Sequence, residues 1–475
     1  CNASNSEILS NLDKYLEHLP NHKRSDVCSV LHDYPQVTAD EPGHCTHTLH
    51  DVQLADPEVR PIKQSCYRVS PEKKKILKSE VDYLLDHGLA EPSNSPWASP
   101  SLLVPKPGGS NRLCTDYRKV NQITVPDSYP LPLIDDLIDS VGQAKFITKI
   151  DLQKGYYQIG LTDNAKSISA FITPFVLFQY TVMPFGMINA PATFQGAINY
   201  TIQGLEGINS YLDDLLVISD TWEAHVERLK SLFGFLSDAG FTINLAKSTF
   251  CSANVTYLGH IVGHGKTKPK EVNVEAISSY PVPQSRRSLM RFLGMAGLYR
   301  RFCSNFATIA KPLTDLTSVK RQFKWTSECQ DSYEQLKLLI TSKPVLRNPD
   351  HSQPFVLQID ASSYGVGAVL MQEDLHSNLL HPVAYFSAKL KKHQQSYSTI
   401  EKEALSLILA LRKFDCYLHS LHPVTVYTDH NPLVFIQRMK NSNQRILRWA
   451  LQIQQYNLTM KHIKGVDNIM RSGYQ

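Results

Sequence analysis

Hydrophobic positions fall into two periods along the chain. Between residues 72 and 89 they recur at helical spacing, as Ile76, Leu77, Val81, Leu84, Leu85 and Leu89, with Gly88 where a helix would end. From residue 101 short apolar, β-prone runs take over: Ser101 to Val104, then 146–151 (Phe-Ile-Thr-Lys-Ile-Asp), then 208–219 (Ile-Asn-Ser-Tyr-Leu-Asp-Asp-Leu-Leu-Val-Ile-Ser). The 208–219 run predicts a hairpin packed on a core, with the neighbouring acids Asp213 and Asp214 at its turn. Asp151 closes the 146–151 strand. Residues 178–195 predict a strand, a Pro184-Phe185-Gly186 turn and a helix entered at Pro191. Helical period returns at Leu289 to Met295. Phe355 to Gln372 reads as a strand, a Gly-rich turn and a second strand, with Asp360 at the end of the first. Residues 397–414 predict a helix with Glu403 on the face of Leu407 and Ala410, and Val424 to Thr428 a strand ending at Asp429.

At 475 residues, 42% hydrophobic and 20% charged, the chain has room for several cores and is neither disordered nor membrane-like. No apolar run is long enough to span a bilayer, and no secretory signal pattern is present. Nine cysteines without a Cys-x-x-Cys pair suit a reducing compartment. The first residue is Cys1, which reads as a piece of a longer chain. Residues 1–55 are polar and weakly patterned, and His44, Cys45, His47 and His50 read as solvated rather than as a metal group. Net charge is +5 overall, yet residues 264–321 hold eleven Lys or Arg against three acids. Such a stretch suits the phosphates of a nucleic acid, or is only a solvated basic face.

An Asp-Asp pair either caps a turn or holds a divalent cation, because two adjacent carboxylates repel unless a counter-charge is supplied. The hairpin around Lys106-Pro-Gly-Gly-Ser-Asn-Arg112 can fold cations over a phosphate chain, or is an ordinary basic turn. A second strand there is expected to carry Asp116, Arg118 and Lys119.

Taken in order, the motifs are Lys106 and Arg112, Asp151 with Tyr156, Pro184-Phe185-Gly186, Tyr211-Leu212-Asp213-Asp214, and Tyr257-Leu258-Gly259-His260. Asp360, Glu403 and Asp429 follow on strand, helix and strand. From about residue 56 onward this series resembles the reverse transcriptase–ribonuclease H region of gypsy-type (Metaviridae) long-terminal-repeat retrotransposon Pol polyproteins, most closely those of vertebrate elements. The resemblance implies an α+β fold: a right-hand polymerase of fingers, palm and thumb with an antiparallel palm sheet, then an α/β ribonuclease H-like domain with a mixed sheet. It implies an upstream segment at 1–55, fingers and palm at 56–263, thumb and connection at 264–343, a linker at 344–354 and the ribonuclease H-like domain at 355–475.

By the same resemblance Asp151 and Asp213 bind two magnesium ions directly and Asp214 completes the cluster. Lys106 and Arg112 grip the incoming triphosphate, and Tyr156 excludes a 2′-hydroxyl by size. Phe185, Gln195 and Tyr211 lie near the nascent base pair, and Leu258, Gly259 and His260 form the primer grip. Asp360, Glu403 and Asp429 hold metal for cutting RNA in an RNA–DNA hybrid. The implied partners are an RNA or DNA template with its primer, deoxynucleoside triphosphates and magnesium, with no membrane. The implied location is cytoplasmic, in a retroelement particle, or nuclear; the oligomeric state stays open.

Several positions depart from the family pattern. Pro107 and Gly108 alter the fingers hairpin, Gly196 follows Gln195 where Arg is usual, and Val176 stands where a turn Gly is usual, which would strain Val if the turn needs positive φ. Ser472 falls where a fourth ribonuclease H carboxylate is expected, so that metal site is expected to be incomplete and its activity impaired. His462 lies where some relatives place a mobile active-site His, though a strand-end His is more often structural. The alternative reading is a decayed or host-retained copy that binds nucleic acid without catalysis.

Overall fold

Short apolar runs set the first sheet. In the computed structural model, β1 (Phe146–Leu152), β2 (Ile208–Tyr211), β3 (Asp214–Ser219) and β4 (Ile243–Ser252) form an antiparallel sheet in the order β4-β1-β3-β2. Its inner faces are dry: Ile147, Ile150, Leu215, Val217 and Ile243 are fully buried. Two helices complete this layer, α1 (Ala190–Thr201), with Pro191 in its first turn, and α2 (Trp222–Ala239), closed by Gly240 at φ 79. The structure describes residues 3–105, 111–342, 344–374, 379–418, 422–429 and 444–463.

The chain forms two units: Cys1–Leu137 with Lys145–Val255, and Ile138–Ala144 with Thr256–Gln475. In the first, a five-stranded sheet is ordered Ala90–Pro92, Leu177–Tyr180, Phe171–Ile172, Ser99–Pro105 and Asn111–Thr115. The helix expected from residue 72 runs Pro71–Asp86 and is capped by the Ser70 hydroxyl. Asp116, Arg118 and Lys119 are not on a strand: Asp116 follows one, and the cations open the short helix Arg118–Ile123. Asp116 accepts from Arg118 and from the Tyr67 hydroxyl, which draws the chain out of the ladder.

The N-terminal 55 residues are not a loose polar segment. They form helices Asn5–Leu9, Leu12–Tyr15 and Asn21–Asp33, and Leu16, Val27, Val30, Leu31 and Val37 join the core of the first unit. Asn5 clasps β4 with both ends of its amide, donating to the Ile243 carbonyl and accepting from Leu245 N–H. Short apolar clusters split among polar residues hid this packing from a periodicity search. Of the histidines of this stretch only His50 is packed away, 1% exposed and bonded to the Thr193 hydroxyl; His44 and His47 are exposed, as expected, with His47 bonded to the Thr201 hydroxyl.

In the second unit, strands His260–Gly263, Lys266–Pro269 and Leu346–Arg347 pair in sequence, so residues 344–354 are not a free linker. Leu346, 1% exposed, buries there. Helices Arg286–Gly297 and Ser327–Thr341 build a core on Leu289, Phe292, Tyr333 and Leu336. Part of the basic stretch is internal: Arg301 pairs with Asp139 at 2.9 Å, and Arg300 donates to the Ser387 carbonyl. Then come β5 (Val356–Ala361), β6 (Gly365–Glu373), β7 (Leu380–Lys389), α3 (Thr399–Lys413), β8 (Val424–Thr428) and β9 (Leu458–His462). The sheet is mixed, ordered β7-β6-β5-β8-β9, with β5–β8 and β8–β9 parallel. No helix among the described residues is long and apolar enough to cross a membrane.

Candidate active sites

The β2–β3 hairpin turns on Leu212 and Asp213, with Tyr211 paired to Asp214. Leu212 takes φ 53, a conformation that costs a non-glycine residue about 1–3 kcal/mol. Two bonds hold it there. Leu212 N–H donates to Gln195 Oε1 at 2.7 Å, and the Asp213 carbonyl accepts from Leu152 N–H at 3.0 Å. Gln195 also donates to Ser210 Oγ and Asn199 Oδ1 and is fully buried. It therefore braces the turn and does not offer its amide to a substrate, contrary to the expectation for this residue.

Asp151 and Asp214 face each other across β1 and β3. Each carries a lysine that sequence reasoning passed over. Lys149 Nζ lies 3.0 Å from Asp214 Oδ1, and Lys247 Nζ 3.3 Å from Asp151 Oδ1. Lys149 is two residues before Asp151 and so shares its face of the strand, a signal that the period alone contained. Lys247 comes from an irregular stretch of β4, between the Asn244–Asp151 and Thr249–Lys149 pairs. A bulge of this kind re-aims side chains, and no pattern in the sequence marks it. Burial pushes the Asp151 carboxyl up to about 6, against the pull of Lys247 and with Asp213 adding repulsion. Burial also raises Asp214, opposed by Lys149. Asp213 sits exposed at the turn.

The other candidate residues collect beside this hairpin. Gly155 opens a short helical turn, and a Cβ there would stand 2.9 Å from Phe194 Cζ and 3.2 Å from Asp213 Cβ. The Tyr156 ring packs, tilted, between Phe185, with centroids 5.0 Å apart, and Phe194, at 5.3 Å. The exposed Arg112 lies over the Phe185 ring at 5.0 Å. Arg112, Phe185, Tyr156 and Asp213 thus line one side of the turn, with half-buried Tyr211 at the end of β2. Gly186 turns with φ 99, and its hydrogen faces the Thr115 carbonyl, where a Cβ would stand at 3.2 Å. Val176 is 54% exposed and does not adopt positive φ, so the expected strain there is absent. Lys106, Pro107 and Gly108 lie outside the described residues.

Leu258 and Gly259 form the two-residue turn between strands Asn254–Tyr257 and His260–Gly263, both at positive φ as a tight hairpin requires. His260 differs from the expectation of a grip residue. It is 6% exposed and stacks on Phe302 with rings 15° apart.

In the second unit Asp360 on β5, Glu403 on α3 and Asp429 just after β8 converge. Their ligand atoms lie within 4.8 Å of one another, the only such group of three metal-binding side chains among the described residues. The Ser406 hydroxyl seats α3 on the sheet by donating to the Asp360 and Gly367 carbonyls. His462 ends β9 with Nε2 3.2 Å from the Asp429 carbonyl. Ser472 lies outside the described residues. A close carboxylate trio fits a hard divalent cation. The Asp151, Asp213 and Asp214 set has the right donors, but two of the three are engaged with lysines.

Comparison with known proteins finds a match for the stretch that carries each site. Residues 104–262 match the model "Reverse transcriptase (RNA-dependent DNA polymerase)", and residues 350–456 match "RNase H-like domain found in reverse transcriptase". The chain carries a reverse transcriptase domain and a ribonuclease H-like domain. It is 35% identical over 433 residues to the retrovirus-related Pol polyprotein from transposon 297 of Drosophila melanogaster, covering 90% of this chain and 40% of that one. It is 34% identical over 463 residues to that from transposon opus of the same organism, covering 93% and 46%. The chain therefore spans less than half the length of these curated relatives, and these homologues are gypsy-type transposon Pol polyproteins. These named relatives are insect elements, and the expected nearness to vertebrate ones gains nothing from them. Two solved structures share the fold. A foamy viral protease–reverse transcriptase with double-stranded DNA matches at TM-score 0.81 and 24% identity, over 97% of this chain and 96% of that one. Its variant dRH matches at TM-score 0.83 and 24% identity, over 97% and 81%.

Proposed function

We propose that this chain is an RNA- and DNA-directed DNA polymerase that uses two magnesium ions, joined to a ribonuclease H domain of weakened activity. The observation that carries the reading is the placement of Asp151 and Asp214 opposite each other, with Asp213 next to Asp214 at the braced β2–β3 turn. When bound there, magnesium would neutralise charge developing on the transferred phosphoryl group. Asp151 and Asp213 would hold it, and Asp214 would complete the charge. The aromatic pair Tyr156 and Phe185 would bear on the sugar and base of an incoming deoxynucleotide, and Arg112 on its phosphates. Asp360, Glu403 and Asp429 would hold metal against the RNA strand of a hybrid. Relatives solved with double-stranded DNA and with an RNA/DNA hybrid support a template–primer partner of this kind. A retroelement particle in the cytoplasm, or the nucleus, is the setting this activity implies.

Primer extension on an RNA template with magnesium tests the reading. Native chain should extend, and Asp213→Asn should lose about a thousandfold, on the scale of removing a group that stabilises transition-state charge. The labelled RNA strand should stay largely intact in the same reaction. Absence of extension by native chain that still binds duplex would favour the second reading, a nucleic-acid-binding remnant; the substitution Ser472 and the other departures from the family pattern are what favour it.

A further inference from the structure

The two lysines beside the polymerase acids are not equivalent. Lys149 projects from the middle of β1, where both neighbouring strands fix the backbone, and its ion pair is half-buried: the side chains of Lys149 and Asp214 are 21% and 22% exposed. Lys247 projects from the irregular stretch of β4, and its side chain is 53% exposed. The carboxylate it meets is the more enclosed partner, Asp151 at 13%. Meanwhile Asp360, Glu403 and Asp429 gather their oxygens within 4.8 Å, while Asp151, Asp213 and Asp214 do not.

We propose that Lys247 is a resident counter-ion that keeps Asp151 compensated until a divalent cation displaces it, while Lys149 stays on Asp214 throughout. The proposal rests on the polymerase reading and assigns two residues which that reading leaves without a role. Magnesium needs carboxylate oxygens in a compact octahedral shell. Asp213 is exposed and can swing, so the oxygen that must be released is on Asp151. Its lysine sits on the irregular strand, with its own N–H tied to Asn244 Oδ1, and can withdraw into solvent without disturbing the ladder. Lys149 has no such exit. Asp214 therefore keeps its counter-charge and stays out of the metal shell, which leaves Asp151 and Asp213 as the ligands. Both lysines are positioning residues, acting through the carboxylates they hold.

The test needs no catalysis. The full chain, free of nucleic acid, would be acetylated with and without magnesium and mapped by mass spectrometry, with a parallel manganese titration by electron paramagnetic resonance. Lys247 should become severalfold more reactive with magnesium while Lys149 stays protected. Lys247→Gln should bind manganese about fivefold tighter, the scale of an exposed ion pair. Lys247 reactivity that ignores magnesium, or unchanged manganese affinity in Lys247→Gln, would overturn the proposal. Native chain whose manganese binding is untouched by both Asp151→Asn and Asp213→Asn would instead overturn the polymerase metal site, and the proposal with it.

Discussion

Tyr156 and His225 show how a single side chain can carry sugar selection or acid sensitivity. The Tyr156 ring is wedged between Phe185 and Phe194, so it cannot swing aside for a larger sugar. Replacing it with Ala should raise ribonucleotide incorporation by roughly 10- to 100-fold, the range a lost steric contact commands. Single-nucleotide extension with paired ribo- and deoxyribonucleotides measures this. His225 is fully buried and bridges the Thr148 and Ser219 hydroxyls at 2.8 and 2.7 Å. Burial, with Arg228 adding, drives its imidazole down to about 4. The folded state thus disfavours the proton. The stabilisation from neutral His225 is complete above pH about 6.5 and is lost as pH falls toward 4, a change of roughly 3 kcal/mol. Urea midpoints between pH 7.5 and 4.5 should fall, and His225→Gln should flatten that slope.

The hairpin depends on an element that is not part of it. Helix α1 lends Gln195, whose amide reaches the strained turn at Leu212. Gln195→Ala should leave Asp213 in place but unbraced, lowering the extension rate by about tenfold or more with little change in duplex affinity, because small misplacements of catalytic groups are costly. Rapid-quench extension beside a filter-binding assay separates the two effects. At this scale most of the architecture was legible from the sequence. Short apolar, β-prone runs marked β1, β3, β5 and β8, and helical spacing marked α3, because their apolar side chains end in the two cores. What stayed hidden was non-periodic. Gln195 read as a substrate contact because its spacing says nothing of which way its amide turns. Lys247 was invisible because the irregularity that aims it has no residue signature. The N-terminal helices were missed because they bury a few scattered apolar residues and depend on Asn5 for their docking onto β4.

Across the whole molecule, sequence order and structural membership part company once. Residues 138–144 lie between two stretches of the first unit yet belong to the second. There Asp139 takes the Arg301 guanidinium and the Tyr417 hydroxyl, and the Gly142 carbonyl accepts from Asn348 Nδ2 at 3.0 Å. A fragment of residues 256–475 would leave the mostly buried Arg301 without its carboxylate. Removing one partner of a buried pair costs about 3–5 kcal/mol. Its thermal unfolding should come well below that of the second unit in the full chain, and Asp139→Asn in the full chain should reproduce part of the loss. The same thread sets an order of events during synthesis. Residues 138–144 leave the ribosome long before Arg301, Asn348 and Tyr417 exist, and β1 begins directly after them. The first unit must therefore close its sheet with this segment still unpartnered. Completion of the second unit then waits on contacts up to 278 residues apart in the chain. Closures that distant are slow to form, so the second unit should be the later to resist protease in a refolding time course.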